Sequence, residues 1–192
     1  MDTTVFHQFF DHCVGNWQTE RTYHYLTKQE VERSHTDFQI APLSAALKLK
    51  VLADNLYPTM PDVDPLPGFS LGFQTVSEHG DKVSQSLNLL FVPQEQTGEI
   101  LTGDYLRDRA YEESRPIISQ FSFNNSTREL LMTTQYTRVV SVDSITLINP
   151  TLRIRRIYNY QRPEAGQPLD TLLLVGFGVE QKGQSCNNPG QS

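Results

Sequence analysis

Two arginines, Arg153 and Arg155, sit two residues apart in the run Asn149-Pro150-Thr151-Leu152-Arg153-Ile154-Arg155-Arg156. On an extended strand they point the same way, about 6–7 Å apart. Two guanidinium forks at that separation suit two carboxylates on one ligand, because Arg presents a planar donor pair that Lys cannot copy. Leu152, Ile154, Arg156, Tyr158 and Tyr160 fall on the opposite face. If the pair faces a core it needs anionic partners, since an unpaired buried charge is costly. Asp143, on the preceding strand, is placed to neutralise them or to face the ligand itself. Spacing alone leaves this reading level with another, in which the arginines decorate an outer strand face and Asp143 is an exposed partner.

A third arginine belongs to a different pattern. Trp17, Thr19, Arg21, Tyr23 and Tyr25 alternate with Gln18, Glu20, Thr22, His24 and Leu26. The first set reads as one strand face, mostly aromatic, with a single cation in its middle. Other chemistries find no support. His7, His12, His24, His35 and His79 show no ligand spacing, so no metal site is expected. There is no phosphate-cradling glycine loop and no serine nucleophile elbow. Cys13 follows Phe6, Phe9 and Phe10 at helical spacing, which makes it a packed thiol, and Cys186 lies in a polar tail.

The elements that must position these residues follow from periodicity and turn chemistry. A helix opens the chain on the Phe6, Phe9, Phe10, Cys13 face, with Thr3 or Thr4 as its cap and Gly15-Asn16 as its end. Strands are expected at 17–26 and 30–40, then a helix from Pro42 to Leu56 whose apolar positions are Leu43, Ala46, Leu47 and Val51. The stretch from Tyr57 to Gly68 holds Pro58, Pro61, Pro65 and Pro67 and is read as a lid-like loop. Strands follow at 69–77, 83–92, 98–105, 117–123, 129–136, 141–149, 152–160 and 171–181, separated by turns such as His79-Gly80-Asp81, Pro93 to Gly98 and Asn149-Pro150. The fold class is mainly β. Ten strands on short connections favour a closed, antiparallel up-and-down barrel, with a β-sandwich as the alternative. Such a barrel has room inside for one small ligand.

The 192 residues and 21.9 kDa suit one domain, taken as 1–183, with a disordered tail at 184–192. A net charge of −6 argues against nucleic acid as a partner. The charge is uneven. Residues 107–162 hold nine of the eleven arginines against five acids, about +4 in a chain that is otherwise −10. No apolar run reaches the roughly 20 residues of a membrane helix, and the N-terminus shows no secretory pattern, so a reducing cytoplasm-like compartment is expected.

Four blocks in order resemble one known family. FFDHCVGNWQTERTYHYL (9–26), GDYLRDRAYEESRPIIS (103–119), TTQYTRVVSVDS (133–144) and NPTLRIRR (149–156) are similar to blocks of the S-type (CpcS/CpeS) phycobiliprotein chromophore lyases. In the second block Leu106, Arg107, Tyr111, Glu113 and Pro116 fall in the family order. The likeness spans most of residues 6–180 and fades in 41–75. It implies a lipocalin-like ten-stranded barrel with an N-terminal helix and a second short helix.

The resemblance further implies an enzyme that binds a phycobilin, a linear tetrapyrrole, and attaches it to a cysteine of a phycobiliprotein subunit through a thioether. Phycocyanobilin is the expected substrate, with no permanently bound cofactor. The acceptor would be a subunit of phycocyanin, allophycocyanin or phycoerythrin type. The setting would be the cyanobacterial cytoplasm or the plastid stroma, with no membrane and no nucleic acid involved. Whether the protein works alone, as a homodimer or with a second lyase subunit stays open. On this reading Arg153, Arg155 and Arg21 hold the bilin propionates. Asp143 is the catalytic acid that bonds the pyrrole N–H groups and keeps the bilin protonated. Trp17, Tyr23, Tyr25 and Phe73 pack the conjugated rings. A non-enzymatic bilin or fatty-acid carrier is the alternative. Two departures matter. The family's Thr-Ser after the second arginine is Arg156-Ile157 here, and of two family histidines only His24 remains, with Tyr25 in the other place.

Overall fold

Period-two alternation accounts for ten strands, and the computed structural model, which describes residues 2–108 and 117–183, pairs them into one closed ring. The elements are α1 (Thr4–Cys13), β1 (Gly15–Tyr25), β2 (Glu30–Pro42), α2 (Ala45–Asp54), β3 (Gly68–Ser77), β4 (Lys82–Thr97), β5 (Ile100–Arg107), β6 (Ser119–Asn124), β7 (Glu129–Gln135), β8 (Val139–Asn149), β9 (Leu152–Gln161) and β10 (Leu172–Lys182). Each strand pairs antiparallel with its sequence neighbours, and β1 closes on β10. The barrel, and not the sandwich, is the observed form. Closure leaves no free edge.

α1 plugs one end. Phe6, Phe9, Phe10 and Cys13 form its buried face, as their spacing predicts. Phe6 stacks on Phe121 at 5.2 Å and meets Phe10 edge-on at 4.9 Å. Each such ring contributes about 1.5–3 kcal/mol by leaving water. The helix start differs from the expected threonine cap. Thr3 holds the cap position, but its side chain makes no capping bond; the Asp2 carboxylate accepts from the Thr4 N–H at 3.0 Å instead. Gly15, at φ +133°, then turns the chain directly from helix into strand. β1 runs from this plug to Tyr25 at the opposite end, the mouth.

Three other expectations shift. α2 begins at Ala45, not Pro42, because β2 keeps pairing with β3 through Pro42, and Ser44 caps the helix by accepting from the Leu47 N–H at 3.3 Å. Its buried face is Lys48, Val51 and Leu52, while Ala46 is exposed. The proline-rich segment is not a lid. Val63 and Leu66 pack with Val51, Leu52, Leu90, Val92 and Leu106 on the outer wall. The Lys48 ammonium fastens the segment there by donating to the Val63 and Asp64 carbonyls at 3.2 and 2.8 Å. Finally, β4 does not stop at Pro93. A register shift between Pro93 and Glu95 absorbs the proline, and the strand continues to Thr97. The expected disordered tail and the family residues Tyr111, Glu113 and Pro116 lie outside the described residues.

Candidate functional site

Inward-facing positions of β1, β9 and β10 change character on leaving the α1 plug. On β1 the order is Trp17, Thr19, Arg21, Tyr23, Tyr25. On β9 it begins Arg153, Arg155, Ile157, and on β10, read the same way, Glu180, Gly178, Gly176. Arg153 is paired in register with Glu180, and Arg155 and Arg21 both flank Gly178. The glycines make room. A Cβ at Gly178 would lie 2.9 Å from Thr19 Oγ1 and 3.2 Å from Arg21 Cγ, and one at Gly176 would lie 2.9 Å from the Tyr23 ring. The inside of β10 is thus hollowed so that side chains from β1 can lie across it.

Above the plug is a cavity of about 190 Å³. Its charged lining is Arg21, Arg107, Arg153, Arg155, Asp143 and Glu180. Phe38, Leu71, Phe73 and Leu87 supply much of the apolar wall. The inward reading of the arginines holds, and the anionic partners that burial demands are present. Arg153 donates through Nε and Nη2 to Glu180 Oε2 at 3.0 and 2.6 Å. Arg155 donates through Nε to Asp143 Oδ1 at 2.9 Å. Burial works against both cations, and the paired carboxylates more than offset it, so both guanidinium pKa values are raised. Four guanidiniums face two carboxylates, which leaves an excess of two positive charges among the described lining residues.

The remaining expected residues are placed differently from one another. Phe73 lines the cavity. Trp17 does not line it. It is 2% exposed, its indole N–H donates to the Cys13 carbonyl at 2.8 Å, and the Arg153 guanidinium lies 4.5 Å above its ring. It is the floor under Arg153, not a wall against a ligand. Tyr23 and Tyr25 stand on the same face as Arg21 but nearer the mouth, outside the cavity lining, where the Tyr25 hydroxyl donates to Glu32 at 3.2 Å. Ile157 is inward-facing, in register with Gly176. Cys13 is buried on the inner face of the plug, which pushes its thiol pKa up.

Two charged lining residues escaped the site prediction. Glu180 ends the apolar run Leu172 to Val179, and its signal was an acid in phase with Gly176 and Gly178 on a strand otherwise too apolar to carry one. Arg107 ends a strand, ILTGDYLR, where one terminal cation reads as ordinary surface, and its signal was its place in the family order of that block. Among the described residues no cluster of His, Cys, Asp and Glu could hold a metal ion, and no helix is long and apolar enough to cross a membrane.

Comparison with known proteins agrees with this architecture. A family model described as CpeS-like protein matches residues 5–182. The chain is 62% identical over 177 residues to chromophore lyase CpcS/CpeS 1 of Synechococcus sp. (strain JA-3-3Ab), covering 92% of this chain and 96% of that one. It is 26% identical over 150 residues to chromophore lyase CpcS/CpeS of Thermosynechococcus vestitus, covering 77% and 79%. The solved S-type phycobiliprotein lyase CPES from Guillardia theta superposes with a TM-score of 0.74 at 17% identity, covering 94% of this chain and 93% of that one, which supports the shared fold. A ten-stranded barrel plugged by α1, matched by the family model over nearly its whole length, therefore belongs to the CpcS/CpeS chromophore lyase family.

Proposed function

We propose that this chromophore lyase carries out phycobilin attachment at the barrel cavity, holding the bilin by its propionates while a cysteine of the phycobiliprotein subunit adds to it. The observation that carries the reading is the excess of two positive charges in an apolar-walled cavity. Two propionates neutralise it, whereas the single carboxylate of a fatty acid leaves one cation uncompensated. Arg21, Arg153 and Arg155 form the basic side of the site. Arg155 uses Nε on Asp143, and its terminal nitrogens remain for a carboxylate. Phe73 packs the bilin within the cavity. A linear tetrapyrrole is larger than a 190 Å³ space can enclose, so its outer rings extend toward Tyr23 and Tyr25 at the mouth.

Asp143 is the proposed catalytic group. Its Oδ1 is engaged by Arg155, while Oδ2 has no hydrogen-bond partner among the described residues and is free to accept from pyrrole N–H groups. Accepting those bonds favours the protonated bilin and makes its ethylidene carbon more electrophilic. The acceptor thiol then adds across the ethylidene double bond. A C–S and a C–H bond form, the S–H bond and the double bond are consumed, and nothing leaves. The nucleophile comes from the partner, and the buried Cys13 plays no part. The enzyme's share is orientation of a flexible substrate.

Phycocyanobilin is the proposed substrate, a phycocyanin-, allophycocyanin- or phycoerythrin-type subunit the proposed acceptor, and cytoplasm or plastid stroma the proposed setting. The test mixes purified protein with phycocyanobilin and then adds an apo-subunit. A red-shifted absorbance band followed by a denaturation-resistant adduct on the subunit is expected. A band with no adduct would leave a carrier and remove the enzyme.

A further inference from the structure

We propose that Arg107 is a carboxylate anchor of this site, facing Arg21 across the barrel, so that the two propionates are held on opposite walls. The inference rests on the bilin reading above and adds a residue to it.

The four cavity arginines are not equivalent. Arg153 is gripped twice by Glu180, and Arg155 is held by Asp143. Arg21 has only a share of Glu180. Its Nη2 is 3.5 Å from Oε1 of a carboxylate whose other oxygen already serves Arg153, and its Nε is buried without any partner. Arg107 makes no ion pair among the described residues; Asp143, already bonded to Arg155, acts on it only at longer range. Its Nη2 donates to the Tyr136 hydroxyl at 2.7 Å, and its guanidinium lies 5.6 Å from the Tyr136 ring and 5.8 Å from the Tyr105 ring. The aromatic pair orients this cation without neutralising it. The two surplus charges therefore reside on Arg21 and Arg107.

Their strands lie across the ring from each other. Three strands separate β1 from β5 on one side and five on the other. Both residues line the same cavity, so the forks reach inward from facing walls. A ligand neutralising both must carry two anionic groups on flexible arms. The propionates of a linear tetrapyrrole, each on a two-methylene stem, meet that requirement.

The test compares biliverdin, a diacid, with its dimethyl ester by absorbance titration on wild type, Arg107→Gln and Tyr136→Phe, each checked for thermal unfolding. Arg107→Gln should weaken diacid binding by about 10- to 100-fold, the range expected for one hydrogen bond to a charged group, and weaken diester binding far less, because an ester oxygen offers the guanidinium no charge. Tyr136→Phe, which frees the guanidinium from its orienting hydroxyl, should weaken diacid binding severalfold only. Equal losses for diacid and diester would make Arg107 a packing residue and overturn the proposal. So would full diacid affinity in Arg107→Gln. If Arg107→Gln fails to fold, the diacid-selective loss in Tyr136→Phe decides alone. Failure of the wild type to bind either tetrapyrrole would overturn the bilin reading itself, a result distinct from the two above.

Discussion

Strand β9 carries arginines on both faces, and the two environments teach different lessons. Inward, Arg153 and its partner Glu180 are 4% and 1% exposed, with three heteroatoms in close contact. Outward, Arg156 meets Glu129 and the Ser144 hydroxyl, with the ion pair 41% and 32% exposed. The residue types match, the neighbours in sequence are shared, and only the pleat differs. Inside, each charge must be answered because water is scarce. Outside, water answers the charge and pairing says little about function.

The comparison breaks most sharply at Glu180. Glu180→Gln leaves Arg153 buried and unpaired, and should cost about 3–5 kcal/mol in denaturant unfolding. Adding Arg153→Met in the same chain should restore most of that loss, because the pair can be replaced by apolar volume. If the single variant unfolds like wild type, the inner pair is no different in kind from the outer one.

Asp143 sharpens the same contrast on the side of chemistry. Asp143→Asn keeps the acceptor oxygen that Arg155 uses but removes the negative charge. We expect the bilin still to bind, since another cation is freed for carboxylates. Adduct formation with the apo-subunit should fall about 100-fold, the scale of one lost acid–base group. A blue-shifted bound spectrum should accompany the loss. Equal losses in binding and in adduct yield would make Asp143 a positioning residue for Arg155.

Much of this was legible from periodicity. The Trp17, Arg21, Tyr23 face and the in-phase Arg153 and Arg155 follow from the two-residue repeat, and the α1 face from Phe6, Phe9, Phe10 and Cys13. What periodicity cannot supply is the sign of a face. Both sides of β9 carry arginine, so only long-range pairing with Glu180, 27 residues away, decides which is inside. The same limit obscured Arg107, whose hydrogen bond goes to a tyrosine hydroxyl between two aromatic rings and which makes no ion pair among the described residues. Trp17 was read as ligand wall because it shares a face with Arg21. The α1 plug, which lies at its end of the barrel, converts it to floor. At Pro42 and Pro93 local breaker signals lost to strand pairing, which tolerates proline at a terminus and at a bulge.

On the outer face, Arg156→Gln should shift stability by only about 0.2–1 kcal/mol, the usual range for exposed pairs. Bilin titration should not change. A larger effect on affinity would mean that the outer wall communicates with the cavity through Ser144, whose hydroxyl donates to Glu129.

The smallest effect is expected at His35, on the outer wall between Glu20 and Asp37. Its Nδ1 lies 2.6 Å from Glu20 Oε1 and its Nε2 3.3 Å from Asp37 Oδ2. The Glu20 bond, aided by the Asp37 charge and opposed by slight burial, raises the imidazole pKa above 6.5. A raised folded-state value means that the folded chain holds the proton more tightly than the unfolded one. The resulting stabilisation is complete below the unfolded value of about 6.5 and is lost as pH rises through the folded one. Urea midpoints of wild type and His35→Gln should therefore differ at pH 6, with wild type the more stable, and converge by pH 9. Other titrating groups contribute to both proteins and cancel in the difference. A gap that persists at pH 9 would show that His35 acts by neutral hydrogen bonding, and a gap that widens with pH would reverse the sign of the argument. Because the imidazole is open to water, added salt should shrink the pH 6 difference, whereas the loss caused by Glu180→Gln should resist salt.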